Sequence, residues 1–187
     1  MITNETLQLI SARRSHRAYA QTPLSQEQID ALLKAAVESP SAVNRQPWHF
    51  TVVRNQALLD EMSAAVRETA MKRDPEKRSP RFADDHFHVF YHAPAVIFIS
   101  GQPGNPYTPI DAGIAVENIA LAAESLGLGT VILGMPRDAF AGDKADDFRK
   151  ALCFPEGWDF VIAIAVGAPA DTKDAHPIGE NKISFVD

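Results

Sequence analysis

The 187 residues suit one domain with a sizeable core, and no run of about 18 apolar residues is present to cross a membrane. Hydrophobic residues make up 45% and charged residues 22%, an ordinary globular mix. The net charge of −6 speaks against general nucleic-acid binding, which needs surplus positive charge to displace counterions.

Leu7 and Ile10 predict a short first helix ending near Arg13. Ser25 and Gln28 form a capping box, with Leu24 and Ile29 at the staple positions. Ile29, Leu32, Leu33, Ala36 and Val37 then follow a helical period until Pro40 restricts Ser39. His49–Val53 reads as a strand. Leu58, Leu59, Met62, Ala65 and Val66 mark a third helix that fades near Pro75. Residues 72–81 are polar and read as a mobile loop. Ala95–Ser100 is almost wholly apolar, the mark of a buried strand. Thr108 as N-cap, Pro109 at the first helical position and Asp111 open a helix that runs to Leu126, apolar on most faces, with Gly127 as its cap. Thr130–Leu133 is a short strand, Ala145–Leu152 a helix and Phe160–Val166 a central strand; the last 20 residues read as an arm over the surface. The expected class is α+β, a single domain over 1–187 with one central sheet and helices on both faces.

Cys153 is the only cysteine, so no internal disulfide is possible, and Met1–Glu5 lacks the basic and apolar regions of a signal peptide. The expectation is a cytoplasmic protein.

Four segments invite a site. Arg13, Arg14, Ser15 and Arg17 place three guanidiniums and a hydroxyl within five residues, a set that can surround a phosphate. The same cluster could be a basic turn favouring the negative end of the preceding helix. Ser39–Trp48 holds Ser41, Asn44 and Gln46 between two prolines; their polar groups suit a flat heterocycle, or an ordinary turn. Gly127, Gly129 and Gly134 follow a helix and precede a strand, the reverse of a dinucleotide fingerprint. On a helix, Asp84, His88 and His92 would form a stripe able to bind a metal, but an exposed polar stripe explains them equally, and no metal is expected. No nucleophile elbow is present, and no histidine lies near Cys153.

Taken in order, these segments resemble the nitroreductase family of flavoproteins over nearly the whole chain. The resemblance rests on Arg13-Arg14-Ser15-His16-Arg17, on Pro40-Ser41-Ala42-Val43-Asn44-Arg45-Gln46-Pro47-Trp48, on His92–Ile97, on Asp111–Gly134 and on a basic residue near the end, Lys182. Met135 stands where the family often has a second glycine, and Ile183 where it often has proline. The resemblance implies a mostly antiparallel sheet flanked by helices and an intertwined homodimer with FMN in the interface. It implies that Arg13, Arg14, Ser15 and Lys182 hold the FMN phosphate, with Arg17 near the ribityl chain or the N1/O2 edge. Pro40, Ser41, Ala42 and Asn44 would come from the partner subunit, with Gln46 close by, while Ile132, Leu133 and Gly134 run beside the ring. The implied activity passes hydride from NADH or NADPH through flavin N5 to a small acceptor such as a nitroaromatic or quinone, with ping-pong kinetics and no catalytic side chain. Dehalogenation, ring cleavage or dehydrogenation on the same scaffold, and flavin binding without turnover, are the alternatives. From spacing alone, Phe87, Phe90 and Tyr91 are candidates to line the substrate site.

Overall fold

The computed structural model describes residues 2–186. Helix α1 (Glu5–Ala12) starts at Asn4, whose side chain accepts the Leu7 N–H. Helix α2 (Gln26–Val37) carries both bonds of the Ser25/Gln28 capping box. Strand β1 (Trp48–Val53) and helix α3 (Gln56–Met71) follow. Strand β2 (Ala95–Gly101), helix α4 (Thr108–Ser125), strand β3 (Gly129–Leu133), helix α5 (Ala145–Ala151) and strand β4 (Asp159–Gly167) complete the order.

The four strands form one antiparallel sheet in the order β1-β2-β4-β3. Alternation along β2 divides the core. Val96 and Phe98 pack with α3, Phe82, Phe90 and Phe140; Ala95, Ile97 and Ile99 pack with α2 and α4. Both faces of the sheet are therefore covered, and every residue of β2 is buried. This is the expected α+β arrangement.

Four local features depart from or add to the expected elements. Residues 72–83 hold two 3₁₀ turns, Pro75–Lys77 and Pro80–Ala83, and the Arg78 guanidinium between them donates to the carbonyls of Met71 and Arg73. Asp84–His92 is not a helix. Arg67 of α3 takes the carbonyls of Phe82 and Asp84, and Tyr91 and His92 adopt left-handed backbone at φ 54° and 52°, closing a tight turn before Pro94. Tyr107 rather than Thr108 precedes α4, and the Asp111 side chain caps nothing in its own helix. A 3₁₀ helix over Met135–Ala141, for which the sequence offered no period, seats Phe140 in the core.

Candidate functional site

The arginine segment leaves α1 and runs along the free edge of β3. Ser15 bridges Thr130 in parallel, and the His16 N–H donates to the Thr130 carbonyl at 2.8 Å. The fit is close, because a Cβ on Gly129 would lie 2.9 Å from the His16 ring. Further on, Ala20 and Ala170 donate to the carbonyls of Ala168 and Ala18, tying the segment to the chain leaving β4. Asp171 fixes it from that side. Its carboxylate meets His16 Nδ1 at 2.6 Å and accepts the Arg17 N–H at 3.1 Å, with Lys173 at 3.3 Å. Burial alone would raise the Asp171 pKa, but the hydrogen bonds from His16, the Arg17 backbone and Lys173 outweigh it and hold the carboxyl below its ordinary range. Burial, followed by the charge of Asp171, pushes the Tyr19 phenol well above its usual value; its hydroxyl donates to the His16 carbonyl.

The three arginines are not equivalent. Arg14 Nη1 donates to the carbonyls of Ser11, Ala12 and Arg13, satisfying the open end of α1. The reading of the cluster as a helix-favouring turn thus holds for part of Arg14. Arg13 lies 3.5 Å from Glu117 of α4. Arg17 Nη1 donates to the Ser15 carbonyl. The Nε atoms of Arg14 and Arg17 are buried without a partner among the described residues. Buried guanidinium N–H groups normally find an acceptor, so these two fit an anionic or polar group entering beside them.

Ile132 and Leu133 end β3 and Gly134 follows it; the strand pairs with β4 on one side only, and beyond the Ser15 bridge no described strand covers its outer edge. Gly134 is exposed at an ordinary negative φ, and a Cβ there would meet nothing within 4 Å. The chain alone does not require glycine at 134, but the open space beside it suits close approach of a flat group to the backbone.

The second segment lies elsewhere. Val43, Asn44 and Gln46 have left-handed backbone at φ 47°, 54° and 49°. Ser41 Oγ accepts the Gln46 N–H at 2.9 Å, and Gln46 Nε2 donates to Asn44 Oδ1 at 3.1 Å. Val43 is 84% exposed. No hydrogen bond or ion pair among the described residues joins this loop to the arginine segment of the same chain. Lys182 sits on an exposed arm without secondary structure, and no hydrogen bond or ion pair among the described residues ties it to the arginines.

The structure does bring the 84–92 turn to the arginine segment, a proximity with no local sign in the sequence. Gln21 donates to the His92 carbonyl, and an open depression of about 390 Å³ is lined by Arg17, Tyr19, Gln21, Phe87, Tyr91 and His92 among others. Phe90 does not share it. Its side chain is fully buried against Phe98, so its candidacy as a substrate residue is withdrawn.

The metal stripe also changes. Asp84 accepts the His86 N–H, while Asp60 of α3 meets His88 Nε2 at 3.2 Å. Asp60, His88 and His92 bring one potential ligand atom each within 4.8 Å of one another. However, His88 Nδ1 accepts the N–H groups of Phe90 and His92, which puts the ring proton on Nε2, facing Asp60. The two imidazoles stack at 4.1 Å and 24°, so their nitrogen lone pairs do not converge on one point. A stacked histidine pair with a carboxylate describes the cluster better than a metal centre.

The family model for the nitroreductase family matches residues 10–168. A protein of Archaeoglobus fulgidus named NADH dehydrogenase/NAD(P)H nitroreductase is 35% identical over 91% of this chain and 88% of its own length. The crystal structure of a nitroreductase with bound FMN from Desulfitobacterium hafniense superposes with a TM-score of 0.94 at 34% identity, covering 100% of both chains. A more distant relative, at 25% identity over 92% of each chain, is named iodotyrosine deiodinase, from Thermotoga neapolitana.

Proposed function

The chain belongs to the nitroreductase family, and from that premise we propose that it is an FMN-dependent oxidoreductase taking reducing equivalents from NADH or NADPH and passing them to a small acceptor. The observation that carries the reading is the arginine segment itself: two buried guanidinium N–H groups without acceptors, pinned beside the uncovered edge of β3. Bound there, FMN would supply the redox chemistry, accepting hydride at ring N5 and handing it on.

The residues divide the binding. Arg13, Arg14 and Ser15 hold the phosphate, Arg14 with the donors it does not spend on α1. Lys182 completes that group from the exposed arm. Arg17 would lie near the ribityl chain or the N1/O2 edge, where a cation would favour the reduced ring. The backbone of Ile132, Leu133 and Gly134 runs alongside. Pro40, Ser41, Ala42, Asn44 and Gln46 reach the flavin of a second copy. Phe87 and Tyr91, at the rim of the depression beside Arg17, meet the acceptor.

Exposed apolar side chains support a homodimer. Ile110 and Ile114 on α4 are 58% and 37% exposed, and Leu7, Ile10 and Leu126 are also uncovered, a set of large apolar side chains that a second copy would bury. No helix among the described residues is long and apolar enough to cross a membrane.

A second reading keeps the flavin site and changes the acceptor chemistry; the relative named a deiodinase supports it. The test is the absorbance spectrum of the purified protein under nitrogen, before and after NADH or NADPH. The expected result is a flavin spectrum that bleaches with at least one nucleotide and recovers on adding a quinone or nitroaromatic. A flavin that never bleaches would leave a binding protein without turnover.

A further inference from the structure

The loop at 41–46 is costly to hold. Left-handed backbone at three of six positions is uncommon outside glycine, and at Val43 a β-branched residue adopts it. Besides two short backbone bonds, Asn44 to Ser41 and Arg45 to Ala42, its side-chain bonds, Ser41 to Gln46 and Gln46 to Asn44, are exposed and compete with water. Val43 projects outward and is 84% exposed.

What fixes the loop lies beneath it. Asp111, in the first turn of α4, is only 3% exposed. Its Oδ1 accepts the Ala42 N–H at 3.2 Å, across 69 residues of sequence. Its Oδ2 is buried with no partner among the described residues. Seven residues on, two helical turns along the same face, Asn118 Nδ2 donates to Ser39 Oγ at 2.8 Å and to the Ala35 carbonyl at 3.4 Å. A buried carboxylate with one oxygen unsatisfied is an expensive choice where an apolar residue would pack. The one side-chain hydrogen bond of Asp111 among the described residues goes to the loop.

We infer that Asp111 is a positioning residue, with Asn118 as a second hook, and that α4 holds the 41–46 loop in its ligand-ready shape from beneath. The link from loop to flavin rests on the proposed function; the anchoring does not. A loop that samples its competent shape only a fraction of the time lowers apparent affinity by that fraction.

The test uses the full chain and three variants, Asp111→Ala, Asp111→Asn and Asn118→Ala. FMN affinity is read by fluorescence, helix content by circular dichroism and the Ala42 amide by hydrogen exchange. Asp111→Ala should weaken FMN binding about tenfold and speed Ala42 exchange with helix content unchanged. Asp111→Asn should bind nearly as wild type, because its amide oxygen still accepts from Ala42 while the buried charge is gone. Unchanged binding in Asp111→Ala, where Ser41→Ala or Asn44→Ala does weaken it, overturns the inference. So does weaker binding with Ala42 exchange unaltered, or an Asp111→Asn variant as weak as alanine. Should Asp111→Ala fail to fold, Asn118→Ala decides: weaker FMN binding supports the hook, unchanged binding overturns it. The functional reading fails separately: Ser41→Ala and Asn44→Ala binding FMN normally would remove the loop from the flavin site, while faster Ala42 exchange in Asp111→Ala would still support the anchor.

Discussion

The two halves of the proposed flavin site are built in opposite ways. The segment from Arg13 to Gln21 is woven into its own chain, through Thr130, Ala168, Ala170 and Asp171, with no room for a side chain on Gly129. The 41–46 loop stands outward with left-handed backbone and is tied to α4 by the Asp111–Ala42 bond, with Asn118 holding Ser39 just before it. In the proposed arrangement, charges aimed at a phosphate are fixed by the subunit that owns them, and a loop reaching another copy would have to be stiff while touching little of its own body. The contrast breaks first at the arginines. Replacing Arg13 and Arg14 together with alanine should weaken FMN binding by about 10²–10⁴-fold, the loss of two charge-assisted contacts. Equilibrium dialysis showing full affinity in the double variant would remove the phosphate from this segment.

The outward half, as proposed, needs a second copy. Ile114→Glu puts a charge on the exposed apolar face of α4, and should raise the dimer dissociation constant by about 10–100-fold through the cost of burying it. Sedimentation at micromolar concentration reads the result. An FMN-loaded monomer of the unaltered protein would end the division of the site between copies.

Asp171 sharpens the inward half. Asp171→Asn keeps the shape but loses the charged acceptor for His16 and Arg17, and should destabilise the fold by about 1–2 kcal/mol at neutral pH. Its folded pKa lies below the ordinary value, so the wild-type contribution is present above the usual carboxylate pKa and fades as pH falls through the lowered one. Thermal unfolding from pH 7 to pH 3 should therefore bring the two proteins together at the acid end. Curves that stay parallel would mean the pair contributes nothing.

What the sequence told of these halves follows the range of the physics. The Ser25/Gln28 box closes over three residues and forms as expected, and the apolar run of β2 states its own burial. The arginine cluster and the proline-bounded loop are both legible as candidate sites because their residue types are unusual together. The Asp171–His16 pair spans 155 residues and leaves no local trace. Asp111 looked like an ordinary acid of a helix start, and only the fold turns it toward Ala42. The 84–92 segment misled because histidines four apart imitate a helix, while Arg67, outside the segment, takes the carbonyls a helix there would use. Phe90 was drawn to the wrong side by the same period.

The smallest expected effect lies in that turn, which leans on the inward half through Gln21 and His92. Burial, then the stacked His92, lowers the His88 pKa, and Asp60 at 3.2 Å pulls the other way without prevailing. A depressed folded pKa means that the unfolded chain takes up the proton more readily. The stability from neutral His88 is thus intact above its unfolded pKa, about 6.5, and is lost as pH falls through the folded value. Between pH 7 and pH 5 the melting temperature of the wild type should fall more steeply than that of His88→Gln, which cannot be protonated. Removing the opposing carboxylate with Asp60→Asn should lower the His88 pKa further and carry the wild-type loss to more acid pH. A direct NMR titration of the His88 ring checks the direction without relying on stability. A ring titrating at or above its ordinary value would show that Asp60 outweighs burial, and the turn would then gain stability on acidification instead of losing it.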